Sequence, residues 1–174
     1  MLHMNVYNGL TAYEIFTMMW PRSPKSTIRA SPTALPRSKP SRARAADIAA
    51  WFAPQHLVVV AETGETGPVA FAGSSPYSSR ACYAGIGEFS VYVRRHYRGR
   101  GAGRAVLAAL IEAARAAGFH KLTSRVFPEN AASRALLKGL GFEEIGIHRR
   151  HGQFDGVWRD CVIVERLLDP GAGE

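Results

Sequence analysis

The chain reads as an α/β domain with a mixed, mostly antiparallel sheet and flanking helices, and three observations lead there. Gly87-Glu88-Phe89-Ser90-Val91-Tyr92-Val93 alternates apolar and polar residues and is rich in β-branched and aromatic side chains, the signature of a strand. Arg98-Gly99-Arg100-Gly101-Ala102-Gly103-Arg104 follows as a glycine-rich turn that runs into an Ala/Leu-rich helix. The strand–turn–helix order then recurs, with Lys121–Phe127 as strand and Ala131–Leu140 as helix.

The other elements fall in around these. His56–Ala61 and Val69–Gly73 read as antiparallel strands around a Gly64–Gly67 turn. The helix after the glycine-rich turn places Val106, Leu107, Leu110, Ile111 and Ala114 on one apolar face and stops at Gly118. Asn130 suits the N-cap of the next helix and Gly141 its C′ position. Arg149–Gly152, Asp155–Asp160 and the apolar Val162–Val164 predict a closing hairpin with a five-residue loop.

The N-terminal quarter differs in kind. Pro21 to Pro40 holds five of the ten prolines among Ser, Arg and Lys, which excludes a regular helix or central strand and predicts a loop or disordered linker. Residues 1–44 are therefore expected to be an atypical basic, Pro-rich segment, partly disordered or rearranged, with the folded domain at 45–170 and a helix resuming at Ala45–Phe52.

Composition narrows the function classes. At 174 residues the chain fits one domain with a sizeable core. It has no run of 18 apolar residues to span a membrane, and Leu2–Trp20 lacks the basic start of a signal peptide. Cys82 and Cys161 match neither a metal-ligand spacing nor a disulfide framework; both are expected as small buried residues in strands, in a reducing cytoplasm. The net charge of +8 is concentrated at the start: residues 1–46 carry seven Lys/Arg against one Glu. The remainder is close to neutral, which argues against nucleic-acid binding by the folded body.

A strand, a glycine loop and a helix N-terminus make a site for phosphate, because the N–H groups of the first helical turn have no partner inside the helix and the helix dipole favours negative charge there. Gly103-Arg104-Ala105 lacks the Lys-Ser/Thr that ends a P-loop. Gly99, Gly101 and Gly103 are spaced G-x-G-x-G, not the G-x-G-x-x-G of dinucleotide folds. A solvated Arg/Gly-rich turn is the plain alternative.

The pattern Arg98-x-x-Gly101-x-Gly103 resembles the acetyl-CoA loop of the GNAT superfamily of N-acetyltransferases, and Asn130-x-x-Ser133 with Leu140-Gly141-Phe142 resembles the second half of the same site. Within that superfamily, Tyr83–Val93, Ser124–Arg134 and Asp155–Asp160 are similar to the phosphinothricin/arsinothricin N-acetyltransferase branch, with the closest likeness to the arsinothricin-resistance members; the resemblance runs from about residue 45 to 168. It implies acetyl transfer from acetyl-CoA, with no metal, to the α-amine of a glutamate-like antimetabolite, and a homodimer.

The resemblance also implies roles. Val91, Val93, Arg98, Gly99, Arg100, Gly101, Gly103, Arg104, Asn130 and Ser133 would hold acetyl-CoA, and Glu88 would be the base. Arg80 matches the family's arginine for the substrate anion, with Tyr92, Arg125 and His151 as further pocket candidates. Read as residues alone, Glu88 could equally be a solvated strand Glu, Arg80 a surface arginine, Tyr92 a core residue and His151 an exposed hairpin histidine. One departure stands out: seven residues after Asn130, where many relatives carry Tyr or His, this chain has Leu137, which cannot donate a proton. Acetylation of peptide N-termini, acetyl-CoA binding without turnover, and a basic-tailed interaction module remain open at this point.

Overall fold

The structure, a computed structural model, describes residues 3–7, 56–64, 67–154 and 156–168. The Pro-rich stretch, the Ala45–Phe52 helix and Asp155 lie outside the described residues. Among the described residues, seven strands form one sheet: β1 (His3–Tyr7), β2 (Leu57–Thr63), β3 (Gly67–Pro76), β4 (Ile86–Val93), β5 (Lys121–Val126), β6 (Glu143–Phe154) and β7 (Val157–Leu167). Their spatial order is β1-β2-β3-β4-β5-β7-β6. Only β4 and β5 pair in parallel, so the sheet is mixed and mostly antiparallel as expected.

Among the described residues, two α-helices interrupt the strands. Helix α1 (Ala102–Ala116) buries Val106, Leu107, Leu110, Ile111 and Ala114, the face its apolar period predicts. It ends where expected: Phe119 N donates to Ala114 O and Gly118 N to Arg115 O, with Gly118 at φ +83°. Helix α2 (Ala131–Lys138) starts on Asn130, whose Oδ1 accepts from Ser133 N at 3.1 Å. It closes through Phe142 N to Leu137 O and Gly141 N to Lys138 O, with Gly141 at φ +77°. Those two bonds place Gly141 at C′ of a Schellman motif, as the sequence suggests. The core between sheet and helices joins the α1 face to Leu122 and Val126 of β5, Val162 and Val164 of β7, Phe89, Leu137 and Phe142.

The start of the chain contributes a strand: β1 pairs with β2 from His3↔Glu62 to Tyr7↔Val58. Its own pattern is weak, and the pairing comes from the open edge of the strongly apolar β2. The final hairpin is tighter than a five-residue loop: the ladder continues to Phe154↔Val157, leaving two residues between the strands, with Gly156 at φ +77°. Pairing at His148↔Cys161 and again from Gly152↔Arg159 to Phe154↔Val157, on either side of a bulge, draws the polar Arg149–Gln153 and Trp158–Asp160 segments into the strands. Helix α2 is assigned only to Lys138, its last turn tightening through Leu140 N to Leu137 O. Cys161 is buried in β7, but Cys82 is exposed in a 3-10 turn (Ala81–Tyr83), because the β3–β4 connection offers it no strand partner.

Candidate functional site

The site grows from a parting of two strands. β4 and β5 pair only from Ile86↔Lys121 to Glu88↔Thr123, although β4 runs on to Val93 and β5 to Val126. Beyond Glu88 the two strands diverge. Ser124 Oγ donates to Phe89 O at 2.8 Å and ties them at the apex. On the other side of β4, Arg94 N donates to Val69 O of β3. Backbone groups alternate sides along a strand. Phe89 therefore turns toward β5, and Val91 and Val93 present their N–H and C=O groups to the same opening.

The loop below the opening is shaped for an anion. A 3-10 turn (Arg95–Tyr97) leads to Gly99 at φ +70° and Gly101 at φ +84°. A Cβ at either glycine would meet nothing within 4 Å. These glycines are needed for their left-handed backbone, not for space. Gly103 is the opposite case: a Cβ there would lie 3.1 Å from Val93 Cγ2, so glycine lets α1 press against β4. The first helical bond is Ala105 N to Gly101 O, and Gly101 brings no side-chain cap. The N–H groups of Ala102, Gly103 and Arg104 thus have no partner inside the helix. Arg98 reaches back with Nε to Val93 O at 3.4 Å, and Arg100 lies 5.7 Å from the Tyr97 ring centre. With Arg104 they surround the helix start with positive charge.

At the apex, on the sheet face opposite α1, sit the polar side chains. Arg125 forms an ion pair with Glu88 through Nη2, and its Nη1 lies 3.1 Å from His151 Nε2. The two paired side chains are about a quarter exposed, 28% for Glu88 and 23% for Arg125. A guanidinium only donates, so Nε2 of His151 must accept and the ring is the neutral Nδ1–H tautomer. Burial, then the neighbouring His148 and Arg125, pull the His151 pKa below its ordinary value, and Glu88 opposes them. The His148 and His151 rings lie 4.6 Å apart.

Two histidines three apart on a regular strand would face opposite ways. A register shift between His148 and Gly152 brings them to one face. Within it Arg150 takes φ +46°, and its N–H donates to Asp160 Oδ1 at 2.8 Å. His148 was thus not legible as a neighbour of the site, since its position depends on the bulge. Ser124 was missed too, because its bond to Phe89 O depends on how two distant strands meet.

The remaining candidates divide. Tyr92 is on the Glu88 face, stacked on Phe71 at 4.9 Å and 37% exposed. Arg80 lies in the β3–β4 connection, exposed, with its guanidinium 5.7 Å from the Tyr83 ring centre; no hydrogen bond or ion pair joins it to the Glu88 cluster. Arg80 instead borders a concavity of about 550 Å³ with Tyr83, Ile86 and Phe119. A second, of about 720 Å³, lies between α2 and the β6–β7 hairpin. Neither is lined by Glu88 or the glycine loop, and the strand opening is the better-built site on chemical grounds. Leu137 points into the core at 6% exposure. Among the described residues there is no cluster of three metal-ligating side chains and no helix long and apolar enough to cross a membrane.

Known proteins resemble this chain in sequence and in fold. The sequence matches the Acetyltransferase (GNAT) family over residues 13–142. It is 44% identical over 88 residues to an L-methionine sulfoximine/L-methionine sulfone acetyltransferase of Pseudomonas aeruginosa, a match covering 51% of each chain, so the chain spans about half that relative's length. It is 32% identical to a phosphinothricin N-acetyltransferase of Streptomyces coelicolor, over 66% of this chain and 67% of the relative. The fold superimposes on a GNAT-superfamily phosphinothricin acetyltransferase from Sinorhizobium meliloti, solved in complex with acetyl-CoA, with a TM-score of 0.76 at 24% identity, covering 97% of this chain and 90% of that one. By its split β4–β5 pair, its glycine loop at the start of α1 and a sequence match over most of its length, this chain belongs to the GNAT family of acetyltransferases.

Proposed function

We propose that the protein transfers acetyl from acetyl-CoA to the α-amine of a glutamate-like amino-acid antimetabolite of the phosphinothricin, arsinothricin or methionine sulfone type, and so gives resistance to it. The observation that carries this reading is the placement of Glu88 at the apex of the strand opening, between the route to the glycine loop and the polar face that bears Arg125 and His151. The names of the relatives from Pseudomonas and Streptomyces support the substrate class.

The residues fit acetyl-CoA. The free N–H groups at the start of α1, with Arg98, Gly99, Arg100, Gly101, Gly103 and Arg104, match the diphosphate in charge and geometry. The Val91 and Val93 backbone groups match the amides of the pantetheine arm, as an added strand would. Asn130 accepts from Ser133 N through its side-chain oxygen, and its NH2 group would be the atom that donates to acetyl-CoA.

Acetyl transfer requires a neutral amine. Glu88 Oε1 is taken by Arg125, and among the described residues Oε2 accepts no hydrogen bond. Oε2 is the atom that would take the ammonium proton, directly or through water. A backbone N–H of Val91 or Val93 would stabilise the negative oxygen formed on the carbonyl. Leu137 donates nothing, so the departing thiol, with an ordinary pKa of about 8.5, leaves as thiolate or takes its proton from water. The reading includes a homodimer, on resemblance alone, and a reducing cytoplasm, consistent with the free thiols of Cys82 and Cys161.

The test is CoA release over a panel of phosphinothricin, methionine sulfone, ordinary amino acids and short peptides, beside acetyl-CoA binding by calorimetry. Turnover on the antimetabolites is expected. Binding of acetyl-CoA with no turnover on any amine would reject the enzyme reading, and preference for peptides would move it to N-terminal acetylation.

A further inference from the structure

The arrangement of Glu88, Arg125 and His151 carries a statement about how an acceptor is chosen, and it rests on the function proposed above. We propose that Arg125 is the receptor for the acceptor's α-carboxylate, and that Glu88 serves as its stand-in counter-ion until a free amino acid displaces it.

Both members of the pair are partly withdrawn from water, where an unpaired charge is costly. With no acceptor bound each satisfies the other, and Arg125 is also anchored by His151 Nε2 at 3.1 Å. An α-amino acid carries its ammonium and carboxylate on a single carbon, so its two charges are as close together as those of the pair. A zwitterion laid across Glu88 and Arg125 makes two ion pairs where one stood. Its carboxylate takes the guanidinium, and its ammonium takes the carboxylate that will remove its proton. The His151 bond keeps the guanidinium in place as its partner changes.

A peptide N-terminus or a simple amine brings the ammonium without the adjacent anion. It can take only Glu88 Oε2 and brings no anion to Arg125, so it gains one ion pair where the amino acid gains two. The pair therefore selects free amino acids over peptide ends. Arg80, by contrast, is exposed and makes no hydrogen bond or ion pair with this cluster.

The experiment compares kcat/KM for methionine sulfone and for its α-carboxamide, in the wild-type protein and in Arg125→Gln. Wild type is expected to favour the free acid by about 10- to 100-fold, the range for one charge-assisted pair. Arg125→Gln is expected to lose most of that preference, mainly through KM, and Arg125→Lys to recover part of it. An Arg125→Gln protein that binds acetyl-CoA, melts normally and still keeps the full preference would overturn the proposal. A second readout does not depend on turnover or on the variant folding: the ring resonances of His151 in wild type, followed by NMR at fixed pH. They are expected to move on adding methionine sulfone and much less with the carboxamide. Equal shifts, or none, would overturn the proposal even if the protein acetylates some other amine. A selective shift without CoA release would uphold this inference while rejecting the enzymatic reading.

Discussion

Arg125 meets Glu88 at the point where β4 and β5 stop pairing, so the one ion pair that spans these strands sits at the apex of their opening. The pair fixes the Glu88 carboxylate at that apex.

Replacing Glu88 by Gln keeps the shape and a hydrogen-bond acceptor but removes the proton acceptor. We expect kcat/KM to fall by about 10²- to 10⁴-fold, the usual contribution of a positioned base. Acetyl-CoA affinity measured by calorimetry should barely change, since Glu88 is on the opposite sheet face from α1. Turnover near the wild-type rate would remove Glu88 from the chemistry.

Gly101 and Gly103 are glycines for different reasons, and substitutions should separate them. Gly101→Ala places a Cβ on a residue at φ +84° with open space around it, so the cost is backbone strain, about 1 kcal/mol or more. Gly101→Asn should be milder, because Asn tolerates that conformation better. Gly103→Val meets Val93 Cγ2 and forces α1 off β4. It should weaken acetyl-CoA binding more than Gly101→Ala does, with calorimetry and a thermal melt as the paired measurements.

Asn130→Ala removes the cap on Ser133 N and should cost about 1 kcal/mol of stability in a denaturant titration. Asn130→Asp, which can accept the same bond, should restore most of it. If Asn130 also donates to acetyl-CoA, Asp will recover stability but not affinity.

The His151 pKa is lowered in the fold, chiefly by burial. The unfolded chain therefore takes up its proton at a higher pH than the native protein does. Stability contributed by neutral His151 is present above its unfolded value of about 6.5 and is lost as pH falls toward the lower folded value. Protonation also removes the acceptor that anchors Arg125, so KM for the amino acid should rise over the same window. His151→Gln, whose side-chain oxygen can still accept, should flatten that acid limb of the pH profile.

Leu137, which cannot donate a proton, is buried against the core. Leu137→Ala should destabilise by about 2–5 kcal/mol through the cavity it leaves, read from a chemical melt.

Much of this protein is legible in its sequence, and the reasons are local. Alternation marks β4, a 3.6-residue period marks the buried face of α1, and glycines mark both helix ends. Asn130 marks its own helix start, because capping is a bond between residues three apart. The glycine loop is readable for the same reason: its left-handed glycines and the N–H groups without a partner inside the helix belong to one short segment. The weakly patterned β1 was not legible, since its ladder comes from β2, more than fifty residues away. The Glu88–Arg125–His151 cluster also exceeds what sequence determines. It joins β4, β5 and β6, requires pairing to stop after Glu88, and needs a bulge at Arg150 to turn His151 and His148 onto one face. Those are properties of strand register and twist, set by how the whole sheet packs, and only the tertiary structure decides them.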